Sequence, residues 1–512
     1  MSAPEKEPTG MRSRVLSGLA WTGSSQIVMQ VLRMVVAIVL ARLLAPADYG
    51  LAAIALIFSS LVLVFSDMSV GAAIIQRKHL TEDDRSTAFW LAVGAGIMFT
   101  AGGILLSGPL GDFYGEPEVA SLCAVLSLSF VITSLATTHE ALLLREMRFA
   151  STERRAMAAT LAGAVTGLAV GIQTHNAWAI IAQELATATV STLLLWKLSP
   201  WRPHLRFSRA SLRSLAAFSG PLVGHRFLYY IHRNADNVLI GRFVGAAALG
   251  AYSIAYNIML VPFSRIAGPV QRVLAPAFAR MQDEPQRIGD AWVRAVRLLG
   301  VCAIPSLTGL IVVAPDFVHV VLGPKWAAAA PLIQILAVVG MIQALQSIST
   351  DILQARGRTA TVFRFTLLFS AAHITGFVIG LHWGVKGVAA AYAITSVLVE
   401  PVYTVLTARS IGVSPLRPLL ALRGIVESSL VMAAAVLAVR AGLLSLDVPA
   451  FPRLVLCVLA GIAVFAPLSI WRAPEVWAEL RGVLGAPLAR LLGRLRRRPT
   501  PYLRPGLEAD RG

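Results

Sequence analysis

Tyr49-Gly50-Leu51-Ala52-Ala53-Ile54-Ala55 returns 200 residues later as Leu249-Gly250-Ala251-Tyr252-Ser253-Ile254-Ala255. Just upstream, and at the same shift, Leu40-Ala41-Arg42 falls on Ile240-Gly241-Arg242, Arg33 on Arg233 and Ala47 on Ala247. Identities among alanine and isoleucine are cheap in an apolar chain. Paired arginines and a paired glycine are not. The chain thus carries two related halves, and both copies of the repeat sit in long apolar runs.

Those runs set the class. Of 512 residues, 56% are hydrophobic and 14% charged, and the mean hydropathy is +0.70. A soluble domain has roughly 25% charged residues, so this chain cannot cover itself with a solvated surface. Apolar runs of about 20 residues cross ~30 Å of hydrocarbon as helices. The runs are continuous rather than alternating, which predicts an all-α polytopic membrane protein and not a barrel. About fourteen spans are expected, near 16–43, 50–74, 87–108, 119–142, 156–173, 177–198, 218–241, 248–275, 294–320, 329–350, 361–380, 387–407, 420–440 and 452–471. Trp90, Trp178, Trp196, Trp326, Trp383 and Trp471 fall at run ends, where an aromatic belt belongs.

Charge in the loops predicts orientation. The even-numbered connections carry Arg77, Lys78 and Arg85, then Arg145, Arg148, Arg154 and Arg155, then Lys197, Arg202, Arg206, Arg209 and Arg213, and the pattern continues to Arg409, Arg417 and Arg423. The odd-numbered connections 45–49, 108–119 and 174–176 have no basic residue, and later ones have few. The alternation fits an even number of spans with both termini in the cytoplasm. It also explains the net charge of +18 without nucleic acid. Cys123, Cys302 and Cys457 lie apart in apolar runs and suggest neither disulfide nor metal. The first run is too long for a cleaved signal peptide, has Arg33 in its middle and recurs halfway down the chain.

Six spans separate the copies, so the repeats are parallel and related by an axis along the membrane normal. The expected organisation is a cytoplasmic N-terminus over 1–15, a six-helix lobe over 16–198, a cytoplasmic linker over 199–217, a second six-helix lobe over 218–407, two further helices within 408–471, and a basic tail over 472–512. Two lobes facing each other across a cleft follow. In the tail, Leu484, Leu488, Leu491 and Leu495 recur at helical spacing with Arg490, Arg494, Arg497 and Arg498 on other faces. That fits an amphipathic helix on anionic membrane lipids or a solvated basic tail equally well.

Charged residues inside the spans mark the candidate site. At 100° per residue, Gln26, Gln30 and Arg33 share a stripe of the first span. Arg226, Tyr230, Arg233 and Asn237 form the matching stripe of the seventh. Each mid-membrane arginine facing lipid costs about 2.5–3.5 kcal/mol, so three must face water, protein or an anionic ligand. The seventh span has a second stripe, His225, Tyr229, His232 and Asp236, whose first-span counterparts are mostly apolar. His232 and Asp236 are one turn apart and could couple to an ion, although neutralisation of Arg233 or His232 by Asp236 in a packed interface is the plainer reading. Asp67 and Glu184 also lie deep, whereas Glu140, Asp351 and Glu400 fall near the expected cytoplasmic ends. Pro262 and Pro269 are expected to kink the eighth span.

No phosphate-binding glycine loop, His-Glu-x-x-His helix, Gly-x-Ser-x-Gly elbow or Cys-x-x-Cys pair occurs. The reading calls for no catalytic residue and no cofactor. A gradient, rather than ATP hydrolysis by this chain, would have to drive transport.

Arg233-Asn234-Ala235-Asp236-Asn237, followed by Ile240-Gly241-Arg242 and Leu249-Gly250-Ala251-Tyr252, resembles the polysaccharide transporters related to colanic acid and teichuronic acid exporters. Arg145-Glu146-Met147-Arg148-Phe149 and Leu322-Gly323-Pro324-Lys325-Trp326 carry the same resemblance, which covers about residues 14 to 410. These transporters belong to the multidrug, oligosaccharidyl-lipid and polysaccharide flippase superfamily. The resemblance implies alternating access through a V-shaped cavity between the lobes and an undecaprenyl-pyrophosphate-linked oligosaccharide as cargo, with a polymerase and glycosyltransferases as working partners. An arginine-lined cleft suits pyrophosphate, since guanidinium pairs with phosphate oxygens bidentately. Two alternatives stand beside it. An ion-coupled drug or metabolite antiporter is disfavoured by the arginines, which repel cationic cargo. A membrane-embedded polymerase or ligase is disfavoured by the short outer loops.

Overall fold

The computed structural model describes residues 29–66, 71, 74, 75, 77, 79–209, 211–213, 230, 231, 233–262 and 268–479. Every regular element among them is helical. Helix α1 covers 29–43, and α2 (Pro46–Ser66), α3 (Glu82–Tyr114), α4 (Pro117–Arg145), α5 (Phe149–Thr174) and α6 (Trp178–Leu198) follow. Helix α7 covers 230, 231 and 233–243. Then come α8 (Ala246–Pro262), α9 (Gly268–Arg280), α10 (Pro285–Phe317), α11 (Ala329–Ala355), α12 (Thr359–Gly380) and α13 (Gly384–Ile411). A short α14 (Leu416–Ala421) precedes α15 (Arg423–Ser445) and α16 (Ala450–Arg472).

Nine of the described segments are long and apolar enough to cross a membrane. One of them, Thr359–Ile411, folds back through a 3₁₀ turn at Leu381–Trp383 into α12 and α13. Pro46–Leu61 and Ala246–Val261 are apolar but shorter. Leu105, Leu193, Leu398, Leu430 and Leu459 are each more than half exposed. In water such a surface would aggregate, whereas in a bilayer it is the face that meets lipid. The protein is a multi-span membrane protein.

Local chemistry sets the ends of these helices. The Thr81 hydroxyl accepts the Asp84 N–H at 3.1 Å while the Asp84 carboxylate accepts the Thr81 N–H at 3.1 Å, a reciprocal cap on α3. Gly115, at φ 70°, ends that helix in the left-handed region that glycine tolerates.

The repeat survives bond by bond. Leu44 N–H reaches the Leu40 carbonyl at 2.8 Å and Val244 reaches Ile240 at 2.9 Å; Tyr49 reaches Ala45 at 3.2 Å and Leu249 reaches Gly245 at 3.1 Å. Further along, the shift grows to 210. At the α4–α5 turn Glu146 bonds Leu142, Met147 bonds Leu144 and Arg148 bonds Leu143; at the α11–α12 turn Arg356 bonds Ile352, Gly357 bonds Gln354 and Arg358 bonds Leu353. Met147 (φ 56°) and Gly357 (φ 69°) are the matching left-handed residues.

In the first lobe α3 pairs with α4, α5 with α6, and α4 with α6, with α2 against them. In the second, α11 packs on α8, α9, α10 and α13, and α12 on α13. The lobes meet along α2 and α8 in a shared core that holds Leu40, Leu44 and Ala52 together with Ile240, Tyr252 and Trp326. Helices α15 and α16 pack on each other and on α10. Buried Asp316 of α10 clamps them, accepting from Arg440 at 2.5 Å and Arg453 at 2.9 Å.

Two stretches pack more closely than a bare connection requires. The start of the expected linker is docked on the first lobe: the Trp90 indole donates to the His204 carbonyl at 2.8 Å, Ser208 N–H donates to Thr87 at 2.9 Å, and Ser211 donates to Asp84 at 2.7 Å. Beyond α16, Val476 is buried and Glu479 sits 3.4 Å from Arg297 of α10, so the chain packs on this side before the rest of the tail. The leucine and arginine pattern from 484 onward lies outside the described residues, as do 263–267 between the two prolines of the eighth span.

Candidate functional site

Arg33 and Arg233 each lie ten residues before the end of their helix, about 15 Å from that end at 1.5 Å per residue. That is half the thickness of a bilayer core. Arg33 is exposed, Gln30 is half-buried beside it, and exposed Glu184 of α6 lies within electrostatic reach of Arg33. A charge at that depth cannot rest in hydrocarbon. Its exposed side must therefore meet water, protein or an anionic ligand rather than lipid.

The second lobe is built differently at the matching depth. The Arg233 guanidinium stands 5.5 Å from the centre of the Tyr256 ring, a cation–π contact. Asp236 is 3% exposed and within electrostatic reach of Arg233. Its Oδ2 accepts the Tyr252 hydroxyl at 2.7 Å and its Oδ1 accepts the Asn237 N–H at 2.8 Å. Tyr252 stacks on Tyr256 at 6.1 Å, and Tyr256 stacks on Tyr392 at 6.4 Å. Gln343 donates to the Tyr392 hydroxyl at 2.7 Å. Asn237 turns inward, its Oδ1 buried without a hydrogen-bond partner among the described residues. Tyr230 donates to the Ile57 carbonyl of α2, across the seam between lobes.

The structure thus brings Arg33 near Glu184 and Arg233 near Asp236, in two separate lobes. Gln26, Arg226, His225, His232 and Asp67 lie outside the described residues. Both Asp236 oxygens are occupied by neutral donors.

Sequence reasoning assigned no role to the contacts that close one end of the seam, the end bearing the odd-numbered connections. Arg42 Nε donates to the Val321 carbonyl at 3.0 Å, and a second guanidinium nitrogen donates to Val320. These carbonyls belong to the π-helical turn Val318–Leu322 that ends α10. In return Lys325 Nζ donates to the Arg42 carbonyl at 2.8 Å and the Trp326 indole to the Ala41 carbonyl at 2.7 Å. Trp326 is fully buried, edge-on to Tyr49 at 5.3 Å. Arg242, the repeat mate of Arg42, covers Phe113 at 5.5 Å. The signal was present in Leu322-Gly323-Pro324-Lys325-Trp326: a lysine and a tryptophan beside a glycine and a proline, in a connection otherwise poor in charge.

Arg145 spans a gap within its lobe, donating to the Ile74 carbonyl at 2.8 Å and the Arg77 carbonyl at 2.5 Å. It holds the polypeptide before α3 in place, so its role is structural. The free cysteines stay apart, Cys123 and Cys457 fully packed.

Comparison with known proteins agrees with this architecture. Residues 39–331 match the family model described as polysaccharide biosynthesis protein. The chain is 31% identical over 372 residues to the lipopolysaccharide biosynthesis protein WzxC of Escherichia coli (strain K12), covering 72% of this chain and 76% of that one. It is 27% identical to the teichuronic acid biosynthesis protein TuaB of Bacillus subtilis (strain 168), over 75% of this chain and 80% of that one. Among solved structures, the lipid II flippase MurJ in an inward closed conformation superposes with a TM-score of 0.73 at 16% identity, covering 89% of this chain and 99% of that one. That likeness shows a shared fold. With the matched family model spanning more than half of its length, the chain belongs to the polysaccharide biosynthesis protein family.

Proposed function

We propose that the protein is a flippase that carries a polyprenyl-pyrophosphate-linked oligosaccharide from the inner to the outer leaflet for assembly of a cell-surface polysaccharide. One observation carries the reading: exposed Arg33, about 15 Å from the end of its helix, has a repeat mate of the same charge and position, Arg233, across the seam between lobes. Two guanidiniums turned toward one cleft would suit a diphosphate, whose oxygens accept from the planar fork bidentately. The family and the names of WzxC, TuaB and MurJ support cargo of this class. Such a protein is a transporter and not an enzyme.

In this reading Arg33, Arg226 and Arg233 receive the pyrophosphate, while Gln26, Gln30, Tyr230 and Asn237 line the same cavity. Residues 16–198 and 218–407 act as the two rocking lobes, fourteen helices cross the inner membrane, and both termini are cytoplasmic. The Arg42 gate then closes the outer face. Asp236 and Glu184, with His232, His225 and Asp67, are the candidates for ion coupling. Glycosyltransferases supply the cargo and a polymerase receives it.

The deciding experiment removes the protein from its host. Lipid-linked oligosaccharide should build up in the inner leaflet, protected from an added glycosidase, while surface polymer disappears. Intact polymer with altered sensitivity to toxic cations would indicate a drug exporter. Units trimmed by the external glycosidase would indicate a polymerase. Either result rejects the flippase reading.

A further inference from the structure

The repeat supplies a control inside the molecule. In the first lobe, Arg155 of α5 bonds Glu140 of α4 at 2.6 Å and Ser191 of α6 at 2.5 Å, so an intramembrane acid has its cation. At the shift of 210 that aligns the two helix turns, Arg155 falls on Phe365, Ser191 on Pro401 and Glu140 on Thr350. The second lobe keeps acids there: Asp351 on α11 and Glu400 on α13. It has a phenylalanine where the arginine should be. The Phe365 ring stacks on Tyr403 at 4.2 Å.

Glu400 is 7% exposed; among the described residues its backbone carbonyl accepts a hydrogen bond while its carboxylate, which keeps a trace of surface contact, pairs with no cation. The polar groups around it are committed elsewhere. Gln346 donates to the Glu400 backbone carbonyl at 3.0 Å and to Thr404, and Ser349 donates to Gln346 at 3.1 Å. Tyr403 donates to Thr350 at 3.2 Å. Asp351 Oδ2 is buried and likewise unpartnered.

Among the described residues, the elements packed on α13 bring no compensating charge, the side chains of Arg265 and Arg272 lying outside them. Tyr403 is the ionisable group in electrostatic contact with both acids. Helix α12 brings Phe365 and, nearer the other end, His373, bonded to Ser396 at 3.2 Å. Helix α8 meets α13 at Tyr256 and Tyr392. Asp290 of α10 is held by Arg417 at 2.6 Å. Arg364 and Arg409 are exposed.

We propose that Glu400, assisted by Asp351, is a proton-binding site whose loading from the cytoplasmic end couples the proton gradient to the lobe movement. An ionised carboxylate without a cation is untenable in such surroundings. The first lobe solves this with a fixed guanidinium, and the second with a removable proton. Asp351, half-buried four residues from the end of α11, is the relay to water. No three His, Cys, Asp or Glu groups converge on a metal-sized site among the described residues, and the sodium chloride arm of the test below separates a proton from a sodium ion. Pro401 follows Glu400 within α13 and interrupts the helix's hydrogen bonding, which lets the change in charge act on a bend.

The coupling rests on the transporter reading; the proton site does not. Infrared spectra of the purified full-length protein in bilayers test the site without any cargo. The protonated-carboxyl band should fade as pH rises, and Glu400→Gln should remove most of the titrating intensity. Asp351→Asn should shift its midpoint, and Phe365→Arg, which restores the first lobe's cation, should also abolish it. If Phe365→Arg fails to fold, Glu400→Gln decides alone. A band that persists in Glu400→Gln, or one that sodium chloride removes at constant pH, overturns the proposal. In cells, Glu400→Gln should cut polymer export about tenfold at unchanged membrane abundance, and normal export with the band lost would reject the coupling.

Discussion

Gly50 and Gly250 occupy the same position in the two repeats, and each lies against the other's helix. A Cβ on Gly50 would come within 1.8 Å of the Ala246 carbonyl oxygen, and one on Gly250 within 1.9 Å of the Pro46 carbonyl oxygen. Pro46 and Ala246 are themselves repeat mates. The contact is therefore reciprocal, as at a two-fold axis, and it lets α2 and α8 cross backbone to backbone where even a methyl group is excluded. Gly50→Ala and Gly250→Ala should each lower thermal stability in detergent, by about 1–3 kcal/mol for forced overpacking. Unchanged melting of both variants would mean that the helices do not cross this closely.

The sidedness of the protein is tested by impermeant thiol labelling of intact spheroplasts. With Cys123, Cys302 and Cys457 replaced, a cysteine at Thr174 should label and one at Arg206 should not. The reverse result would invert the topology drawn from loop charge.

Arg33→Ala and Arg233→Ala should abolish polymer export while leaving the protein abundant in the membrane. Lysine at either site should rescue in part, because it keeps the charge and loses the planar fork. Normal export in both alanine variants would reduce these arginines to structural ion-pair members, Arg33 with Glu184 and Arg233 with Asp236.

Arg42→Ala removes both donors from the π-turn of α10 and should loosen the closed end. A single cysteine at Gln30 should then label several-fold faster from outside than in the parent. Equal rates would show that Trp326 and the glycine crossing hold the closure without Arg42.

Asp316→Ala should destabilise by about 3–5 kcal/mol, the usual cost of leaving buried charges without their partner. Limited proteolysis should then release the segment bearing α15 and α16 before the lobes unfold. Loss of stability throughout the protein in one step would mean that the pair is part of the main core.

The helices were legible because hydrocarbon allows one solution to backbone hydrogen bonding, and the 200-residue repeat was legible through Arg42, Gly50 and their mates. The shift to 210 was not, since it is carried by backbone bonds at Met147 and Gly357, whose side chains share nothing. Of the candidate site, the matching positions of Arg33 and Arg233 along their helices followed from the repeat. The Tyr252 bond to Asp236 did not, because it joins different helices, and no single-helix stripe reveals what a neighbouring helix presents. Glu400 looked like an acid near a water-reached end. Its isolation depends on Phe365, a residue unremarkable until it is set beside Arg155.

The docking of residues 201–211 on the first lobe limits the mechanical freedom of the protein. A covalent tether between two moving bodies usually lends play, yet here Trp90, Thr87 and Asp84 fasten it as far as Ser211. The first lobe therefore carries this part of the connection with it as one body, and any movement of that lobe takes His204, Ser208 and Ser211 along.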